Sequence, residues 1–248
     1  MHCFVLISQI QRHQTLDKLP LQANVYPMPT MAFIQDSKTR VTLASKQPLG
    51  FSSLKLGWLE VFLDRRLMQD DNRGLGQGIK DNIITPSMFS LIVEQSRDPL
   101  ANTAEQRLPT AYPSILSHLS SQQILHPMSV LIPRVPSPQF AALFSGIAAL
   151  PCDIHLVNLR LLYQSISSTT PPQSALILHR KGYDCHYLPT AVTCSLTEGK
   201  VSLRDMFSLR IESARDMSLS LLHDRGVIDL TNVVSLAPME LYAYQLNW

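Results

Sequence analysis

The sequence predicts a mainly β protein of the β-sandwich class, with helix as a minor component. Three observations carry this. Short runs in which apolar and polar residues alternate recur from one end of the chain to the other. Turn signals punctuate them at Gln47-Pro48, Leu56-Gly57, Lys181-Gly182, Glu198-Gly199 and Arg225-Gly226. Proline is common, 17 residues in 248, as a chain with many turns requires. Many short strands with regular punctuation are the signature of a sandwich.

In chain order, strands are expected at 31–35, 40–44, 59–63, 88–94, 154–162, 175–179, 201–203, 208–212, 217–222 and 240–246. The last of these, ELYAYQL, places Leu241, Ala243 and Gln245 on one face and Tyr242, Tyr244 and Leu246 on the other. Helices are expected at 112–121 and 138–150. Between about residue 96 and residue 151 alternation fades and Ser, Pro and Gln accumulate, as in SSQQ and RVPSPQ. This reads as the connection between two β units, with a boundary near residue 110. The run SISSTTPPQS reads as a surface loop.

Composition narrows the function classes. Apolar residues make up 45% and charged residues 16%, enough to bury a core and too apolar for a disordered chain. Net charge is only +2 and the 21 basic residues are scattered, which argues against nucleic acid or an anionic membrane as partner. No apolar run approaches the ~18 residues of a membrane span. The N-terminal apolar stretch 3–7 is shorter than a signal-peptide core and has no Lys or Arg before it. Read literally, neither anchor nor secretion signal is expected. No N-x-S/T sequon occurs.

One segment concentrates charge. In DRRLMQDDNRG, residues 64–74, three acidic residues and three arginines fall within eleven positions, followed by Gly76 and Gly78. Alternation puts Asp64 and Arg66 on one face of the strand end and Arg65 on the other. Two readings stand on spacing alone. One is a solvated, self-neutralising loop. The other is a polar site in which arginine forks and carboxylates hold hydroxyls or one another, with Gly74, Gly76 and Gly78 supplying positive φ or close approach. GLGQG has neither the GxGxxG spacing nor the Lys-Ser/Thr of a phosphate loop.

Cys152, His155, His179, Cys185, His186 and Cys194 raise a metal site, but no two form a tight ligand pair, and β-sheet histidines satisfied by neighbours explain them better. Met28, Met31 and Phe33 read as core and interface.

DRRLMQDDNRGLGQG closely resembles a signature of the Golgi class II α-mannosidases of glycoside hydrolase family 38. The likeness continues through LPLQANVYPMPTMAFIQD, TLASKQPLGFSSL, YPSILSHL, PCDIHLVNLR, ALILHRKGYDC and SLAPMELYAY. The resemblance implies three segments: a non-matching N-terminus at 1–20, a β-supersandwich-like fragment at 21–110, and a second, smaller β-sandwich at 111–248. Its members are retaining, zinc-dependent enzymes of the Golgi lumen that trim α-1,3- and α-1,6-linked mannose from N-glycans. It also implies that nucleophile, acid/base and zinc ligands belong to an N-terminal domain preceding this region. This chain would then hold no catalytic residue and no metal ligand, and its partners would be N-glycan mannose and that missing domain. The full-length enzyme is a possible homodimer.

By the same resemblance Arg73 reaches the mannose pocket, Asp70 and Asp71 orient it, and Arg65 and Arg66 serve an interdomain contact. The alternative function is a truncated, non-catalytic carbohydrate-binding or interaction module. Cys185 and Cys194 are expected to flank a hairpin and, in an oxidising lumen, to be available for pairing. The competing arrangement is two independent thiols, one of them joined to a cysteine outside this chain.

Overall fold

The computed structural model describes residues 16–19, 24–36, 38–63, 72, 74, 76–78, 82–97, 112–130, 132, 150–162, 173–187 and 195–248. The protein is mostly β, its sheets antiparallel, with little helix. It divides into two compact units. The first takes up Gln9–Ser129 and Asp184–Pro189; the second holds Val130–Tyr183 and Thr190–Trp248.

In the first unit the strands are β1 (Tyr26–Met28), β2 (Met31–Gln35), β3 (Thr39–Ser45), β4 (Leu49–Ser52), β5 (Glu60–Phe62) and β6 (Phe89–Gln95), followed by helix α1 (Ile115–Leu125). They form two three-stranded sheets, β1-β4-β5 and β2-β3-β6. Asp36 closes the β2–β3 hairpin, its carboxylate accepting the amides of Lys38 at 2.7 Å and Thr39 at 2.6 Å. Those amide donors hold the Asp36 carboxyl below the usual range. The register sets Gln35 opposite Arg40 and Arg40 opposite Glu94, so that these three share a face with Phe33, Thr42 and Ile92. Helix α1 packs against β3 and β6. It starts three residues later than the sequence predicts and runs to Leu125, because Ser114 is the N-cap: its Oγ accepts the amide of Ser117 at 3.0 Å.

The second unit contains β7 (Ile154–Leu161), β8 (Gln173–Arg180), β9 (Lys200–Val201), the short helix α2 (Leu203–Met206), β10 (Ser213–Met217), β11 (Asp224–Ile228), β12 (Val234–Ser235) and β13 (Leu241–Asn247). Five strands make one sheet in the order β11-β10-β13-β8-β7; β12 and β9 make a second. Leu176, Leu178, Tyr244, Leu246 and Ala214 from the large sheet meet Val201, Leu203, Phe207, Ile211 and Leu236 in the core.

Three strand expectations fail here. The run 201–203 ends as a strand at Val201, because Ser202 caps α2 by accepting the amide of Asp205. The run 208–212 is not a strand; pairing begins at Ser213. The run 217–222 alternates like a strand, yet beyond Met217 it is the β10–β11 turn, with Leu221 at φ 61° and the amide of Ser218 donating to the His223 carbonyl at 2.8 Å. Arg225-Gly226 is accordingly no turn. It lies inside β11 opposite a register shift between Asp216 and Met217, and Gly226 takes φ 135° there. Strands β1, β4, β11 and β12 have no counterpart in the sequence reading. The helix expected at 138–150 lies outside the described residues. Among the described residues no helix is long and apolar enough to cross a membrane.

Candidate functional site

The β4–β5 hairpin leads the chain into the charged segment. Asp64, Arg65, Arg66, Asp70, Asp71 and Arg73 all lie outside the described residues. The residues described among and beyond them carry information of their own. Asn72 has φ 60°, Gly74 φ 133° and Gly76 φ 64°. A Cβ built on Gly74 or Gly76 meets nothing within 4 Å. Backbone conformation, not close approach, is therefore what those two glycines supply. Asn72 is of the type that tolerates the left-handed region. Three described residues of the segment, Asn72, Gly74 and Gly76, thus take positive φ.

Two buried ionic clusters, neither anticipated, are fully described. In the first unit Arg40 is completely buried. Its Nη2 donates to Asp184 Oδ2 at 2.7 Å and to Gln35 Oε1 at 2.6 Å, Nε donates to the same Gln35 oxygen at 2.9 Å, and Nη1 donates to the Tyr112 carbonyl at 2.9 Å. The guanidinium lies between the Phe33 and Tyr187 rings, 4.2 and 4.0 Å from their centroids. Asp184 also accepts the amide of His186 at 3.0 Å. Beside this, Glu94 accepts from Ser114 Oγ at 2.6 Å; burial pushes its carboxyl up, against those hydroxyls and Arg40. Four of the five N–H groups of the Arg40 fork are taken by protein partners. The cluster is a clamp that fixes segment 184–187 to β2 and β3.

In the second unit Asp153 is buried and accepts the amides of Thr197 and Gly199, each at 3.2 Å, and the Thr197 hydroxyl. Arg180 Nε lies 3.9 Å from it. Lys181, also buried, donates from Nζ to the Cys152 carbonyl at 3.0 Å. Burial pulls its ammonium down to about 8, with Asp153 opposing. His155 and His179 face each other across β7 and β8, ring centroids 6.4 Å apart and edge to face. Burial, then the charge of Lys181, lowers His179.

Cys152 and Cys185 are both disulfide-bonded. Cys185 sits in the 3-10 turn Cys185–Tyr187, not at the end of a hairpin strand. Cys194, its expected partner, lies outside the described residues. Oxidation removes two thiolates from the His/Cys set. Among the described residues no group of three or more His, Cys, Asp or Glu is arranged to hold a metal. The described residues therefore do not fit a zinc centre.

The inward place of Arg40 has a sequence signal: in RVTLA, Arg40 alternates with Thr42 and Ala44 onto one face, putting a charge among buried positions. Its partner Asp184, 144 residues away, has none.

Residues 8–73 match the C-terminal domain of the glycosyl hydrolases of family 38. Over 247 residues the chain is 47% identical to alpha-mannosidase 2 of Mus musculus, covering 96% of this chain and 21% of that protein. It is 46% identical over 245 residues to alpha-mannosidase 2 of Homo sapiens, with the same coverage. To the Arabidopsis thaliana alpha-mannosidase 2 it is 37% identical over 271 residues, covering 96% and 23%. The chain spans about a fifth of the length of the curated relatives it matches.

Proposed function

We propose that this chain, similar to the C-terminal region of the family 38 α-mannosidases, is the β region that completes the mannose site of such an enzyme by lending it a loop. The observation that carries the proposal is the likeness over 96% of the chain, which takes in the 64–78 segment. The family match itself ends on Arg73.

In this reading Arg73 reaches a mannose hydroxyl or an active-site carboxylate as a fixed fork. Asp70 and Asp71 orient it, and Arg65 and Arg66 hold the loop against the catalytic part. Positive φ at Asn72, Gly74 and Gly76 is in keeping with a loop there. The reaction is retaining hydrolysis of α-1,3- and α-1,6-linked mannose in N-glycan processing, carried out by two carboxylates of the catalytic part. Zinc, when bound, contacts the sugar hydroxyls there; nothing described in this chain is assigned to it. The setting is the Golgi lumen, where the two oxidised cysteines are at home, and the full-length enzyme forms a homodimer.

The test is a mouse alpha-mannosidase 2 in which this chain replaces the aligned region. Arg73→Lys in that chimera should lower kcat/KM by at least about tenfold, roughly 1.4 kcal/mol of transition-state stabilisation, without moving Tm. Unchanged kinetics would return the loop to a solvated, self-neutralising surface.

A further inference from the structure

A disulfide needs its two Cα atoms about 4.4–6.8 Å apart, so the backbone beside an oxidised cysteine narrows the choice of partner. Cys152 is buried and fixed from several sides. Its carbonyl accepts from Lys181 Nζ at 3.0 Å, and its amide donates to the Ser195 carbonyl at 3.0 Å. The next residue, Asp153, accepts the Lys181 amide at its carbonyl at 2.8 Å. Its carboxylate accepts the Thr197 and Gly199 amides. Residues 152–153 and 195–199, all in the second unit, are thus laced together. Cys194 immediately precedes Ser195, a Cα step of about 3.8 Å. Cys185 belongs to the first unit. On one side of it Asp184 binds Arg40 and donates its amide to the Pro113 carbonyl; on the other, the His186 carbonyl accepts the Arg97 amide.

We infer that Cys152 is joined to Cys194, a clasp that closes the chain from 152 to 194 on itself, and that Cys185 takes a different partner. Cys152 and Cys185 are both oxidised. The amide bond from Cys152 brings Ser195, and with it Cys194, to a cysteine other than the one its spacing in the sequence suggests. The bond forms by exchange with an oxidised dithiol carrier. One thiolate of the pair attacks the carrier's disulfide, and the second displaces the carrier from the mixed disulfide. The carrier leaves as a dithiol with the two electrons, and the two sulfurs of the chain are left joined. The clasp has a second effect, because the turn it pins is the one whose amides hold Asp153. Reduction frees residues 195–199 to leave Asp153 and opens the surroundings of the buried Lys181 to water.

Peptide mapping of the unreduced chain, secreted through an oxidising lumen behind an added signal peptide, tests this without any substitution. Trypsin leaves Cys185 and Cys194 together on residues 182–200, so a second cut after Tyr187 is needed to part them. Residues 135–160, which carry Cys152, should then be recovered joined to residues 188–200, which carry Cys194, and not to residues 182–187. Substitution gives an independent reading through maleimide labelling of the denatured, unreduced chain. Cys152→Ser should free the Cys194 thiol and leave Cys185 blocked, whereas Cys185→Ser should free neither Cys152 nor Cys194. Cys194 recovered on Cys185, Cys152 recovered on Cys185 or Cys3, or a free thiol at 152 or 194 in the unsubstituted secreted chain overturns the inference. The map needs no activity, so it stands or falls apart from the mannose site, which Arg73→Lys reports.

Discussion

Arg40 is the residue on which the first unit turns, and its environment says what a substitution does. Four donated hydrogen bonds and two ring faces satisfy a cation that has lost its water. Arg40→Ala leaves the part-buried Asp184 without its counter-charge, and breaking such a pair costs at most about 3–5 kcal/mol, the figure for a fully buried one. Arg40→Lys recovers only part of that, because an ammonium has no plane to lie between Phe33 and Tyr187 and no fork for Gln35 and Asp184. Urea denaturation should therefore rank the midpoints wild type, Lys, Ala. Lys181 behaves in the opposite sense. Its ammonium titrates near 8 in the folded protein and near 10.5 when unfolded, so between those values the unfolded chain binds more protons and stability rises with pH. The shift corresponds to about 3 kcal/mol held against the fold at neutral pH. Lys181→Met should raise stability at pH 7 and flatten the rise between pH 8 and 10. Above pH 10, Tyr183 and Tyr244, both pushed up chiefly by burial, act the other way. Unaltered pH dependence in the variant would show that Lys181 is hydrated when folded. Nothing in HRKGYD announces the burial of this lysine.

At the scale of elements, alternation is legible where two strands are long enough to enforce it. MAFIQ is β2 to the residue, and LYAYQLN is displaced by one. Alternation misleads at MSLSLL, where the apolar residues repeat every second position but the chain must turn to bring β11 against β10. The Arg225-Gly226 pair misleads for the converse reason: glycine serves a bulge as readily as a turn. Short β1, β4 and β12 are set by partners, not by their own two to four residues. Glu198-Gly199 does turn, and the structure tells why glycine is needed. Gly199 has φ 81°, its amide donates to Asp153, and a Cβ would run into the Leu236 carbonyl and the Arg180 guanidinium. Gly199→Ala should cost more than about 1 kcal/mol, since backbone conformation and packing both resist it. By contrast Gly57→Ala, with φ 78° and open space around it, carries only the conformational part. Thermal melts of the two variants separate these contributions; equal losses would mean the Glu198-Gly199 turn rearranges freely.

Over the whole molecule, the charged residues expected at the mannose site were legible only through resemblance, because spacing leaves a solvated loop as good an account as a binding loop. Among the described residues, chemistry bears on whether the chain alone could act. Retaining hydrolysis needs two carboxyl groups about 5 Å apart, one ionised to attack and one protonated to donate. Of the carboxyls described, Asp36, Asp224 and Asp229 are exposed and held low by hydrogen bonds, so none serves as the acid. Asp153 is committed to Thr197 and Gly199. Glu94, raised by burial, is the best acid among them, but Ser114 and Ser117 occupy it beneath α1. Its neighbour Asp184 is bound by Arg40 and the His186 amide and is not free to attack. The chain by itself should accordingly show no hydrolysis of an aryl α-mannoside, with or without added zinc, above a heat-inactivated control. The mouse chimera should hydrolyse it. Turnover by the chain alone that a chelator abolishes would mean that the acid, the nucleophile and the metal are all carried within these 248 residues.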